Sequence, residues 1–209
     1  MNIKAIIFDV DGVVLTTHNA QGRYFWSETV KEDLGLSKDH FQKIFSPDWN
    51  SYVVTGKIET ISYLKRVFED PLFEGLGLTP EKYIDYWLTK HNNIDGHINE
   101  EMIQLIQSLK IPCYLGTNQE FHRTNRVEKC IGKNFKGIFT SYKIGFIKPE
   151  SAFFNHVEKE LKLRSDEILL VDDTKENVEG AQKCGWHTYH YKGDFDNFKN
   201  FFKNEFVDF

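Results

Sequence analysis

Four groups of polar residues could do chemistry together: Asp9-Val-Asp11-Gly12, Thr117-Asn118, Lys148 and Asp172-Asp173. On an extended strand, residues two apart face the same side, so Asp9 and Asp11 present two carboxylates where the chain leaves its first apolar run. If the Asp172-Asp173 pair meets them, repulsion is severe. A carboxylate pair ~4 Å apart costs on the order of 4 kcal/mol at an effective dielectric of about 20. Such a cluster calls for a hard cation. Sparse oxygen ligands beside one lysine and a hydroxyl favour Mg²⁺ with a phosphate over Ca²⁺ in an all-protein cage. One of the first two carboxylates can attack phosphorus and the other can move protons, given surroundings that separate their pKa values. Thr117 can offer its hydroxyl, and neighbouring backbone N–H groups such as that of Asn118, to phosphoryl oxygens. Lys148 supplies a positive point charge. Gly12 permits a tight turn after the carboxylates.

These residues converge only if strands deliver them to one edge. Lys4 to Leu15 begins as a continuous apolar run of strand length ending in charge and Gly, the pattern of a buried parallel strand. Similar runs recur at Ile111–Gly116, Ile138–Thr140, Glu167–Asp172 and His187–Tyr191. Helical periodicity fills the gaps. Asn99 is placed to cap a helix through about Lys110, Pro149 to open one carrying Phe153, Val157 and Leu161, and Thr174 to cap one closing near Gly185. Strand–helix alternation predicts a doubly wound α/β parallel sheet, in which ligands bind beyond the carboxyl ends of the strands. The alternation breaks between Thr16 and Asn93. Amphipathic helices are expected there at Tyr24–Leu34, Lys38–Phe45, Thr60–Phe68 and Pro80–Lys90, with no strand. This reads as a helical bundle (16–93) inserted into a discontinuous core (1–15 and 94–209). The Phe-rich segment Phe195–Phe209 is expected to be a terminal helix packed on the sheet.

Composition narrows the class. At 209 residues the chain suits one domain carrying an insertion, and 18 Phe are far too many for a disordered chain. A net charge of −5 argues against global attraction to nucleic acid or anionic lipid. The apolar run at Ile3–Phe8 is too short for a membrane span or a signal segment. Three widely spaced cysteines without a CxxC pair argue against a disulfide framework or zinc site and favour the cytoplasm. Eight histidines show no HxxxH or HExxH spacing. Thr55-Gly56-Lys57 lacks the upstream glycine of a phosphate loop, since Ser51 stands there, and reads as a turn between helices. Trp26, Trp49 and Trp87 read as bundle core, although Arg23, Tyr24 and Trp26 follow the first strand closely enough to reach a leaving group.

Asp9-Val-Asp11-Gly12-Val-Val, Gly116-Thr117-Asn118, Lys148-Pro149 and Val171-Asp172-Asp173-Thr-Lys-Glu-Asn177 resemble, in order, the four motifs of the haloacid dehalogenase-like hydrolase superfamily. Each motif alone has an ordinary reading, such as a helix cap or a surface lysine; the ordered set of four does not. The match spans essentially the whole chain, and the insertion resembles that superfamily's helical C1 cap on a Rossmann-like core. The Lys-Pro motif followed by Phe154, and the Asp-Asp-x-x-x-Asn ending, resemble the branch holding glucose-1-phosphate phosphatases and the phosphatase domain of soluble epoxide hydrolase. The resemblance implies that Asp9 attacks phosphorus and forms an aspartyl-phosphate, while Asp11 protonates the leaving oxygen and then activates water. It implies Mg²⁺ held by the Asp9 carboxylate, the Asp11 backbone carbonyl and the Asp173 carboxylate, oriented by Asp172 and Asn177. Dehalogenases of this superfamily lack the second motif aspartate, so Asp11 favours phosphate-ester chemistry on a small phosphorylated metabolite, a sugar phosphate among the candidates. Three alternatives stay open: a β-phosphoglucomutase-like phosphomutase, a receiver-like phospho-acceptor and an inactive scaffold. Oligomeric state is not readable.

Overall fold

The computed structural model describes residues 2–17, 29–91 and 97–206. Five strands form one parallel sheet: β1 (Ala5–Phe8), β2 (Cys113–Thr117), β3 (Ile138–Thr140), β4 (Ile168–Asp172) and β5 (His187–His190), in the order β3-β2-β1-β4-β5. The chain winds outward from β1 to β3, returns to β4 on the other side of β1, and continues to β5. Strand order therefore reverses between β1 and β4, which opens a crevice at their carboxyl ends. Phe8 pairs with Leu115 on one side and Val171 on the other, so Asp9 comes level with Gly116 and Asp172.

Both sheet faces are covered, which is why the strands read as unbroken apolar runs. On one face Ile6, Phe8, Leu115, Leu169 and Val171 pack with α5 (Glu100–Ser108), α6 (Phe121–Ile131) and α10 (Phe195–Glu205). On the other, Ile7, Ile168 and Leu170 pack with Phe153, Phe154 and Val157 of α8 (Ser151–Leu161) and Ala181 of α9 (Lys175–Lys183). The Asn99 side chain caps α5 by accepting from Met102 N, a bond worth ~1 kcal/mol. Phe198 and Phe202 of α10 bury against the sheet as its composition suggested.

The helices of residues 30–91 pack on one another: α1 (Val30–Leu34), α2 (Lys38–Ile44), a π-helix at Trp49–Val54, α3 (Thr60–Phe68), α4 (Pro80–Tyr86) and a second π-helical stretch, Trp87–His91. Trp49, Val53, Leu64, Tyr83 and Trp87 share one apolar cluster, joined from the sheet side by the half-buried Ile147. Gly56, at φ 71, turns the chain between the first π-helix and α3. Residues 18–23 and the expected first half of Tyr24–Leu34, with Arg23, Tyr24 and Trp26, lie outside the described residues, as does the expected 93/94 boundary.

Several elements depart from the sequence expectation. The helix expected to open at Pro149 starts at Ser151, because Pro149 sits in a turn closed by Glu150 N–H to Ile147 O (2.9 Å). Thr174 stands at the start of α9 without capping it through its side chain; its hydroxyl meets Asp173 Oδ1 at 3.3 Å instead. The π-helix at Trp49–Val54, α6 and the short α7 (Ser141–Ile144) were not anticipated. Cys113, Cys130 and Cys184 form no disulfide, and no helix among the described residues is long and apolar enough to cross a membrane.

Candidate active site

The crevice between β1 and β4 collects the polar groups. Lys148, almost fully buried, reaches in from the loop after α7 and places Nζ 3.1 Å from Asp9 Oδ1 and 2.5 Å from Asp172 Oδ2. Its backbone is held at both ends by one side chain. Asn118 Oδ1 accepts from Lys148 N and Asn118 Nδ2 donates to Lys148 O, each at 2.9 Å. This clasp commits the Asn118 amide to positioning the lysine, which leaves the backbone as Asn118's means of meeting an anion. Thr117, buried at the end of β2, accepts from Gln119 Nε2 at 3.3 Å, so its own hydroxyl hydrogen remains to be donated.

Asp172 and Asp173 divide cleanly by surroundings. Asp172 is fully buried. Its Oδ1 accepts from Thr174 N (2.9 Å) and Asn177 Nδ2 (3.1 Å), while its Oδ2 accepts from Lys148 Nζ and Asn177 Nδ2 (3.2 Å). Two donors on each oxygen use the lone pairs a carboxylate offers. Asp173 is half-buried and lies against the turn of Gly12, where a Cβ would sit 1.9 Å from Asp173 Oδ2. With φ at 76, Gly12 serves both the turn and the space for that carboxylate. His190 Nε2, 2.9 Å from Asp173 O, fixes the loop from the β5 side.

Asp9, Asp172 and Asp173 bring one carboxylate oxygen each within 4.8 Å of one another. The Lys148 ammonium lies against two of these three carboxylates, Asp9 and Asp172. Burial is the largest influence on Asp9 and pushes its carboxyl up; Lys148 opposes this, and Asp172, Asp11 and Asp173 add to it, leaving Asp9 at about 7. Burial pulls the Lys148 ammonium down, but Asp172 and Asp9 outweigh it and hold its pKa above the usual lysine value. An all-oxygen donor set of three carboxylates, close enough for Asp172 and Asp173 to push the Asp9 carboxyl up, fits a hard divalent cation such as Mg²⁺.

Asp11 has partners that sequence reasoning missed. The Arg123 guanidinium pairs with its Oδ1, and Gln119 Nε2 donates to its Oδ2 at 2.6 Å. Arg123 sits on the buried side of α6, whose first turn is fixed by Glu120 accepting from Arg123 N (2.6 Å) and His122 N (2.9 Å). A Gln-Glu-x-x-Arg run after the threonine was the available signal, a capping residue followed at helical spacing by a cation. It was hidden by a face that is mostly polar.

The family model described as haloacid dehalogenase-like hydrolase matches residues 3–185. The chain is 29% identical to the sesquiterpene phosphatase astK of Aspergillus oryzae, across 90% of this chain and 89% of that one. It shares 34% identity over 62 residues with the drimenol cyclase drtB of Aspergillus calidoustus, covering 12% of that protein. Among solved structures, a HAD-family enzyme of Bacteroides thetaiotaomicron in a magnesium complex superposes with a TM-score of 0.75 at 20% identity, covering 96% of this chain and 99% of that one. The L-2-haloacid dehalogenase of Xanthobacter autotrophicus gives a TM-score of 0.60 at 18% identity, covering 89% and 76%.

Proposed function

The chain belongs to the haloacid dehalogenase-like hydrolases, and on that footing we propose that it is a Mg²⁺-dependent phosphatase of small phosphate monoesters working through an aspartyl-phosphate. The observation that carries this reading is the Lys148 ammonium lodged between Asp9 and Asp172, with Asp173 in the same carboxylate cluster and Asp11 two residues from the nucleophile. Asp9 attacks phosphorus as the ester P–O bond breaks, and Asp11 gives its proton to the departing oxygen. Asp11 then takes a proton from the water that attacks the aspartyl-phosphate, which frees inorganic phosphate and restores Asp9. Lys148 and Thr117 hold phosphoryl oxygens, a task of positioning and charge stabilisation.

Asp9, Asp173 and the Asp11 backbone carbonyl would hold Mg²⁺. Asp172, with both oxygens already taken, and Asn177 would orient the Lys148 and Asp173 side of the site. When bound, the ion would offset the repulsion among these carboxylates and act as a Lewis acid on a phosphoryl oxygen. The helical segment, 16–93, is proposed as the cap that selects the substrate. The kinship to a sesquiterpene phosphatase supports adding isoprenoid monophosphates to sugar phosphates as substrate classes. The presence of Asp11, which a departing halide would not need, supports phosphate esters over carbon–halogen bonds.

The test is phosphate release, read by malachite green, across a panel of sugar, isoprenoid and aryl monophosphates with Mg²⁺ or EDTA. Metal-dependent turnover that vanishes in Asp9→Asn is expected. Undiminished turnover in that variant would refute the nucleophile, and phosphoryl transfer to a second sugar without free phosphate would turn the reading to a mutase.

A further inference from the structure

We propose that Arg123 and Gln119 are positioning residues for proton transfer, a clamp that fixes the Asp11 carboxylate toward the leaving oxygen. The inference rests on the reading of Asp11 as the proton-transferring group and goes beyond it by naming what aims that group.

The Asp11 side chain is about a quarter exposed, stands just before the turn at Gly12, and without partners would sample several rotamers. Two donors of different chemistry, four residues apart in the chain, instead engage its two oxygens: the guanidinium of Arg123 at Oδ1 and the amide of Gln119 at Oδ2. A carboxylate has about four lone-pair positions, so a clamp using one on each oxygen leaves acceptor or proton-carrying capacity on both. Arg123 is itself buried. Desolvating a guanidinium costs several kcal/mol, so an apolar residue would serve packing better than this one does. Gln119 also bridges to the Thr117 hydroxyl, which ties the aim of Asp11 to a group proposed to hold the phosphoryl oxygens.

The backbone carrying the clamp is tied down from the helical segment. Thr60 of α3 donates its hydroxyl to Glu120 Oε2 (2.6 Å), and both residues are buried. Gln119 N donates to Ser141 Oγ (2.9 Å), and that hydroxyl donates in turn to Val54 O (2.9 Å) at the end of the first π-helix. The stretch Gln119–Arg123 therefore holds Asp11 while it is bonded to Thr60 directly and to Val54 through Ser141. An aim that is off by 1 Å can cost on the order of 10²-fold, which is the effect the clamp prevents.

Leaving-group dependence separates aiming from mere structure. General-acid help matters for a poor leaving group and little for a good one, and kcat/KM reports the steps through departure of that group. Wild type, Asp11→Asn, Arg123→Met, Arg123→Lys and Gln119→Leu are compared on phenyl phosphate and p-nitrophenyl phosphate with saturating Mg²⁺. Arg123→Met is expected to lose ~10²-fold in kcat/KM on phenyl phosphate, at least about tenfold more than on p-nitrophenyl phosphate, with Arg123→Lys recovering part of the loss. Gln119→Leu should show the same contrast more weakly, and it carries the test if Arg123→Met does not fold. Equal losses on the two substrates, or none, would overturn the proposal. If Asp11→Asn shows the contrast and the clamp variants do not, this inference alone fails; a wild type inert on both substrates removes the phosphatase reading and this one with it.

Discussion

Asp9→Asn should abolish turnover and at the same time stabilise the metal-free protein. Asp9 is buried beside three other carboxylates, and its pKa stands at about 7 against an ordinary value of 3.8. The sign follows from linkage. Between these two values the folded state binds the proton more tightly than the unfolded chain, so stability is fully present below pH 4 and is lost as pH rises toward 7. Applied to that shift, the loss reaches about 2 kcal/mol at pH 5 and about 4 kcal/mol at pH 8, so it grows by a few kcal/mol between them. Asparagine keeps the shape and removes the charge, so it escapes the loss. Urea denaturation in EDTA at pH 5 and pH 8 checks this. The gap between variant and wild type should widen by about 2–3 kcal/mol from the lower to the higher pH. Saturating Mg²⁺ should then narrow it, since the ion binds the folded carboxylates preferentially. A variant less stable than wild type at pH 8 in EDTA, or a gap indifferent to pH, would refute the electrostatic account of the site.

The remaining predictions concern the neighbours of Asp9. Lys148→Met leaves Asp9 and Asp172 buried without their cation and should destabilise by roughly 3–5 kcal/mol, with a turnover loss of about 10²- to 10³-fold; a loss of tenfold or less would place Lys148 outside the reaction. Gly12→Ala forces a Cβ to within 1.9 Å of Asp173 Oδ2 at a positive φ, and should weaken Mg²⁺ half-saturation of activity by about 10- to 100-fold. Unchanged metal dependence would remove Asp173 from the ion site. Asn118→Ala frees both ends of the Lys148 backbone and is expected to raise KM for aryl phosphate while costing about 1–3 kcal/mol in thermal denaturation; wild-type kinetics would show that the lysine needs no clasp.

How far the sequence could be read depended on how strongly burial imprinted each element. The strands are covered on both faces, so Ala5–Phe8 and Ile168–Asp172 stand out as apolar runs, and the acids that end them fall together once the sheet is parallel. α3 was legible to the residue because Thr60–Phe68 carries buried Tyr63, Leu64 and Val67 at helical spacing. α6 was not, since its buried side includes Arg123 and Thr124 with only Val127 and Ile131 as apolar markers. A buried arginine looks like surface until its carboxylate partner, 112 residues away, is known. Trp49–Val54 was illegible for another reason: i→i+5 bonding widens the turn and displaces side chains from the 3.6-residue period that sequence reading relies on. The proposed division of labour between Asp172 and Asp173 came from the resemblance, through Asn177 four residues beyond Asp173, and no spacing alone would have shown that the Asp172 oxygens are taken by Lys148, Thr174 and Asn177.

The position of β1 at the middle of the sheet, with two strands on either flank, has a bearing on durability. Hydrogen exchange proceeds through partial openings that begin where contacts are fewest, so β3, β5 and the outlying helices should exchange before the central ladder does. Asp9, the proposed nucleophile, hangs from the part of the molecule expected to open last. Sequence drift at the periphery, or transient fraying during catalysis and thermal stress, can therefore reshape what the enzyme admits while leaving the reacting aspartate where it is.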